Sequence, residues 1–326
     1  MAHDGLTTLS DRIHNLRFAV LGAYVADCFV VTSRLPAWGV EYQADAVRIS
    51  PGGKALNQAV ALARLGVHVT AVGTVGDDAL GQDILFTLAR EGIEADGMRV
   101  SENAPTSVCV CFVSQKGETS FVWHIADDVA VTPDTVRAAE DSIRSSDAVL
   151  ITFELPPAAI REAITLASGG GARVFVQPAP PLADPHLNAL IPWDQVEVLL
   201  PNETEARAIL ESISSDRPHH ADDLAAALAT ELAVPTVVVT LGESGCIAHS
   251  AGASHRYSAH QAASVDTTGA SDAFAASLAA FMVAGTSEAE AIQAALAAAA
   301  WTIGRPGGHE AMPSSAQVIS MLGRRR

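Results

Sequence analysis

The chain repeats one pattern: a short, continuous apolar run closed by Gly, Pro or Asn, followed by a stretch with helical spacing. RFAVLG at residues 17–22 is the first such run, and the helical period KALNQAVALARLG follows Gly53. HVTAVGTVG, DAVLITF, ARVFVQP, VEVLLPN and PTVVVTLG continue the series, separated by helix-like segments such as ADDLAAALATELAV. Strands that are apolar at every position are buried on both faces, so the pattern predicts an α/β fold, a doubly wound parallel sheet with helices on both sides. Two stretches break the alternation. Residues 28–49 and 106–125 carry extra β-type sequence, the second with TSVCVCFVS and TSFVWHI flanking QKGE as a hairpin. Inserted antiparallel strands of this kind predict a small β-sheet lid. The Ala-rich end from Ala270 to Trp301 predicts two packed helices, because Phe274, Leu278 and Phe281 recur at spacings of four and three. The expected organisation is a tail over residues 1–16, one domain over 17–316 and a second tail over 317–326, frayed at Arg324–Arg326.

Among 326 residues, 49% are hydrophobic, enough for a sizeable core. Lys and Arg number 20 against 37 Asp and Glu, a net charge of −17 that argues against nucleic acid and anionic membrane as partners. The N-terminal sequence lacks an apolar core of signal-peptide length, and no uninterrupted apolar stretch is long enough to span a bilayer. A cytoplasmic protein is expected. Cys28, Cys109, Cys111 and Cys246 lack C-x-x-C spacing and are expected to be reduced, packed thiols.

The segment VDTTGASDAFAASLAAFMVAG turns through Gly269 and Ala270 into a long helix. The first N–H groups of a helix lack intrahelical partners and sit at the positive end of its dipole, so this turn is suited to holding a phosphate. Asp272 falls in the first turn. A carboxylate there can take the proton of an attacking hydroxyl while the amides hold the transferred group; alternatively it only favours its helix start. PGGKALNQAVALARLG also passes from a Gly turn into a helix, but here Lys54 stands where the dipole disfavours a cation. Lys54 and Lys116 are the only lysines. Asn57, three residues on, shares a helix face with Lys54 beside Gly52 and Gly53, a set of donors suited to a polyol; a solvated helix start is the alternative. Asp27, Glu154 and the run Asn202-Glu203-Thr204-Glu205 stand at predicted strand ends, where ligands of open α/β sheets gather. Asn202 suits a helix cap, and Glu205 suits the orientation of magnesium-bound waters. His219 and His220 lie in a polar loop and read as surface residues.

Taken together, these motifs resemble the PfkB or ribokinase family of carbohydrate kinases over roughly residues 17–315. PGGKALNQAVALARLG is similar to the first family signature and DTTGASDAF to the second, while PNETE, FVQPAP and TLGESG resemble intervening motifs in the same order. The resemblance implies ATP-dependent phosphoryl transfer to a small sugar, with ATP, Mg2+ and a monovalent cation such as K+ in the site. It makes Asp272 the base and Gly269, Ala270 and Ser271 the anion hole. It places Asp27, Gly53, Lys54, Asn57 and Glu154 on the sugar, and Asn202, Glu205, Thr240 and Gly242 on the nucleotide and magnesium. Asp266, the Thr268 carbonyl and Gly307 fall to the monovalent cation. Against the family pattern, Ser271 replaces a usual Gly, Gln177 and Val25 replace usual Asn residues, HIADDVAVTP ends the lid differently, and Ala311 replaces a usual Ser. Ribose or a related pentose is the first expectation, with fructose, a nucleoside or a silent sugar-binding role as alternatives. The lid's exposed edges and apolar Val108, Val110 and Phe112 lead to the expectation of a homodimer through the lid.

Overall fold

The structure is a computed structural model that describes residues 9–115, 119–182, 184–213, 218 and 220–323. Among them a nine-stranded sheet runs in the order β13 (Ala253–Tyr257), β12 (Cys246–Ser250), β11 (Thr236–Thr240), β10 (Val198–Leu199), β9 (Arg173–Gln177), β8 (Ala148–Thr152), β1 (Arg17–Leu21), β4 (His68–Gly76), β5 (Glu94–Ser101). The pairs from β5 to β11 are parallel, and β12 and β13 add an antiparallel end. The continuous apolar runs have the predicted cause. Phe18 and Val20 of β1 point into one buried core and Ala19 and Leu21 into the other, so every position of the strand needs an apolar side chain.

Helices cover both faces. The described part of α1 (residues 9–14), α2 (Lys54–Leu65), α9 (Ala270–Val283), α10 (Glu288–Ile303) and α11 (Ser315–Gly323) feed the first core. Helix α3 (Ala79–Arg90) adds Ile84 and Leu88 to that core, while α4 (Pro133–Ala138), α5 (Glu140–Arg144), α6 (Pro157–Gly170), α7 (Glu203–Ile213) and α8 (Ala221–Leu232) feed the second. On the first face Phe274, Leu278 and Phe281 are buried along α9, which packs on α10 as the spacing predicts. The segments expected as tails differ from that expectation. Ile13 is buried in α1, and Val318 and Met321, three residues apart on α11, join the same core. The basic end Arg324–Arg326 lies outside the described residues.

The lid is a separate four-stranded sheet, ordered β3 (Ala46–Gly52), β2 (Val25–Val31), β6 (Val108–Val113), β7 (Thr119–His124). It is mixed, since β2 and β6 run parallel while the outer pairs are antiparallel. Its strands begin at Val25 and reach Gly52, wider than the expected 28–49, because the run just after β1 already pairs as β2. The hairpin turn QKGE lies largely outside the described residues; the strands flanking it pair from Val113 with Thr119 to Val108 with His124. VEVLLPN yields only the two-residue β10, its chain turning at once into the start of α7.

Candidate active site

A cleft of roughly 1590 Å³ opens between the lid and the C-terminal ends of the parallel strands. Two glycines shape its floor. A Cβ on Gly52 would stand 1.9 Å from Oδ2 of Asp27, and Gly53 has φ +95° with the Ala23 carbonyl 2.3 Å from where its Cβ would be. Only glycine lets the carboxyl of Asp27 lie across β3 while the chain turns into α2. Lys54 is the first residue of that helix and lines the cleft. Burial works to lower its pKa, but Asp272, Glu154, Glu205 and Asp27 outweigh burial and raise it. The cation that the helix dipole disfavours is thus compensated by four carboxyls from four other parts of the chain.

Those carboxyls are perturbed in turn. Burial pushes Asp27, Glu154 and Glu205 up to about 7. Burial also raises Asp272, against the pull of Lys54 and of the Asn57, Gln177 and Gln58 amides. Glu154, just past β8, accepts hydrogen bonds from the Ala23 N–H and the Thr152 hydroxyl, each at 3.2 Å. Asn57 donates through Nδ2 to Oδ2 of Asp272 at 2.8 Å. The other carboxylate oxygen, Oδ1, is buried and has no hydrogen-bond partner.

Asp272 sits in the first turn of α9, with Gly269 as N-cap in the left-handed region. The Ala270 N–H is spent on the Thr267 carbonyl at 3.3 Å, whereas the N–H groups of Gly269 and Ser271 have no backbone acceptor among the described residues. Ser271 is exposed toward the cleft. Asn202 and Glu205 lock together at the start of α7. The Asn202 N–H and side-chain amide donate to the two Glu205 oxygens at 2.8 and 2.7 Å, and Glu205 N–H donates back to Asn202 Oδ1 at 2.8 Å. Helix capping and a place in the cleft are therefore held by the same pair. Thr240 pairs with Asn202 across an isolated bridge, and Gly242 opens the turn after β11.

Asp266 and Gly307 stand behind the cleft wall. Asp266 accepts from the N–H groups of Thr268 and Gly307, both at 2.9 Å, so the Asx turn and the link to Gly307 coexist. The Thr268 hydroxyl is buried without a partner. His220 is exposed at the start of α8, and His219 lies outside the described residues. Cys109 lines the cleft opposite Asp27, and all four cysteines are free.

The cleft contains features that the motifs did not reveal. Its far end is walled by Ala263, Ala299, Ala300 and Ile303, small apolar residues without a motif of their own. Gln58 donates to Gln177 beside Asp272. The lid strand β3 is fastened to the body by the Arg48–Glu310 pair at 2.5 Å and by a His309 ring N–H donating to the Pro51 carbonyl at 2.8 Å. The His309 and Glu310 ends of these contacts lie in one short turn, and Gln177 entered the sequence reading only as a departure from a pattern.

Comparison with known proteins agrees with this architecture. A model of the pfkB family carbohydrate kinases matches residues 15–315. The chain is 30% identical over 311 residues to the ribokinase of Schizosaccharomyces pombe, covering 93% of this chain and 96% of that protein. It is 26% identical over 304 residues to the deoxyribokinase of Salmonella typhi, covering 93% and 98%. A solved structure of Arabidopsis thaliana ribokinase complexed with ribose and ATP aligns with a TM-score of 0.79 and 27% identity, covering 94% of this chain and 98% of that one. With the match running from before β1 to the start of α11 and taking in both glycine turns, the chain belongs to the pfkB family of carbohydrate kinases.

Proposed function

We propose that this carbohydrate kinase phosphorylates a hydroxyl of ribose or a related pentose, with Asp272 as the base. The observation that carries the assignment is the partnerless Oδ1 of Asp272 at a helix start, a buried acceptor whose other oxygen is already held by Asn57. A sugar hydroxyl donating to Oδ1 loses its proton as its oxygen attacks the γ-phosphorus, and the bond to the bridging oxygen breaks to leave ADP. Charge on the transferred group is met by the N–H groups of Gly269 and Ser271, the α9 dipole and Lys54. Asp27, Glu154 and Asn57 surround Lys54 at the lid end of the cleft and suit the sugar; Asn202, Glu205, Thr240 and Gly242 suit the nucleotide. Ribose and ATP occupy the related plant enzyme by its own description, and the deoxyribokinase relative keeps the pentose class broad.

Magnesium would reach this site with the nucleotide phosphates and its own waters, near Glu205 and Asn202, since the described residues contain no cluster of three metal-ligating side chains. For a monovalent cation the residues fit: the Asp266 carboxylate, the Thr268 carbonyl, with its buried, partnerless hydroxyl beside it, and the Gly307 carbonyl offer hard oxygen donors. Such an ion would supply a fixed positive charge beneath the turn that carries the anion-hole amides. A homodimer through the lid is supported by Val47, Ile49 and Val122, exposed at 62%, 58% and 63%. Four free cysteines suit the cytoplasm, and no helix among the described residues is long and apolar enough to cross a membrane. The deciding experiment measures ADP release with Mg-ATP and a panel of pentoses, hexoses and nucleosides. Turnover should be highest with a pentose; a preference for a hexose or a nucleoside would move the acceptor assignment to that class.

A further inference from the structure

Gln58 and Gln177 are buried at 0% and 5% exposure, on α2 and at the end of β9, and meet next to Asp272 on α9. Gln58 Nε2 donates to Gln177 Oε1. A carboxamide has one accepting and one donating end, so once its oxygen is engaged, Gln177 can offer only N–H to the carboxyl beside it. The opposite flip would set a carbonyl oxygen against a carboxylate, which is repulsive. From the other side Asn57 Nδ2 holds Oδ2. The buried base is thus approached by amide donors on two sides, while its Oδ1 makes no hydrogen bond. Gln58 Oε1 is itself buried without a partner. A position serving packing alone would be better filled by an apolar side chain, so the buried, half-satisfied amide points to a role in the site.

We propose that Gln58 and Gln177 form an amide relay that positions the Asp272 carboxylate, Gln58 fixing the flip of Gln177 and Gln177 presenting its N–H to the base. The proposal rests on Asp272 being the base and makes both glutamines positioning residues. Neither amide can accept the substrate proton, so each acts only through the orientation and ionisation of Asp272. The charged and titratable groups around that carboxyl are Lys54 on α2, Asp27 on β2, Glu154 after β8 and Glu205 on α7. All of them remain in place when the amides are changed.

The test uses the full chain and its Gln177→Met and Gln58→Met variants, close in length and without N–H donors, with folding checked by thermal melts. The carboxyl of Asp272 is followed by carbon NMR on chain labelled in the Asp side chain, its signal assigned by its loss in Asp272→Asn. Removing the donor should raise the Asp272 midpoint by about one pH unit. The acid limb of kcat should move by the same amount, with activity at alkaline pH returning to within about threefold of the parent and sugar KM changing less than about twofold. Gln58 also lies beside the carboxyl, so the relay is read from the double variant: Gln58→Met should add no further shift to that of Gln177→Met, and a full second shift would make Gln58 an independent donor and overturn the relay. An unmoved midpoint in both variants, or a loss of turnover equal at every pH, overturns the proposal. The kinase assignment fails separately, by a parent chain that phosphorylates no sugar while the NMR shift persists.

Discussion

At the scale of single residues the proposed chemistry rests on Asp272, whose two oxygens have different surroundings, one held by Asn57 and one without a partner. Asp272→Asn keeps the shape and removes the basicity, so turnover should fall at least about 100-fold while sugar binding by calorimetry stays within a few-fold of the parent. Parent-level turnover by the purified variant would remove Asp272 from the role. The place of this carboxylate was legible because helix-start physics and a glycine turn both leave a mark in sequence. Its amide neighbours were not. Gln58 and Gln177 are 119 residues apart, and a buried glutamine looks like a surface one until the fold brings the strand end to the helix. Asn57 was legible as a cleft residue, yet its tie to Asp272 needed α2 and α9 side by side.

At the scale of elements the lid is joined to the body through β3, by Arg48 to Glu310 and by Pro51 to His309. Arg48 also lies 4.6 Å over the ring of Phe29 on the neighbouring strand. The Arg48–Glu310 pair is solvent-exposed, worth about 0–1 kcal/mol, so Arg48→Ala should lower the melting temperature by less than about 4 °C. Its effect should be local: faster amide exchange over residues 46–52 and a larger rise in sugar KM than in ATP KM. Unchanged exchange in β3 would show that the pair does not hold the lid. The parallel sheet and the helical pair at the Ala-rich end were readable because periodicity reports burial. The mixed pairing inside the lid was not, since strand order depends on partners far apart in sequence, and the brief β10 shows that an apolar run sets an upper limit on strand length.

At the scale of the whole molecule, a chain of net charge −17 brings four of its carboxyls, Asp272, Glu154, Glu205 and Asp27, around one lysine, Lys54. Glu154 and Glu205 are raised from 4.5 to about 7 in the folded state, and Asp27 from 3.8 to about 7. Between these values the folded chain holds protons that the unfolded chain has released. Their contribution to stability is therefore full below the unfolded values and is lost as pH rises toward 7. Glu154→Gln should melt with the parent at pH 4 and about 2–4 °C above it at pH 8; a difference independent of pH would refute the shift. The same cluster makes ligand binding a proton-exchange event. On the proposed assignment, sugar hydroxyls donating to Asp27 and Glu154 would favour their ionised forms and expel protons into the buffer, whereas nucleotide phosphates near Glu205 would draw a proton in. Near neutral pH the heat of sugar binding should therefore vary linearly with the ionisation enthalpy of the buffer, and the slope for ATP should have the opposite sign.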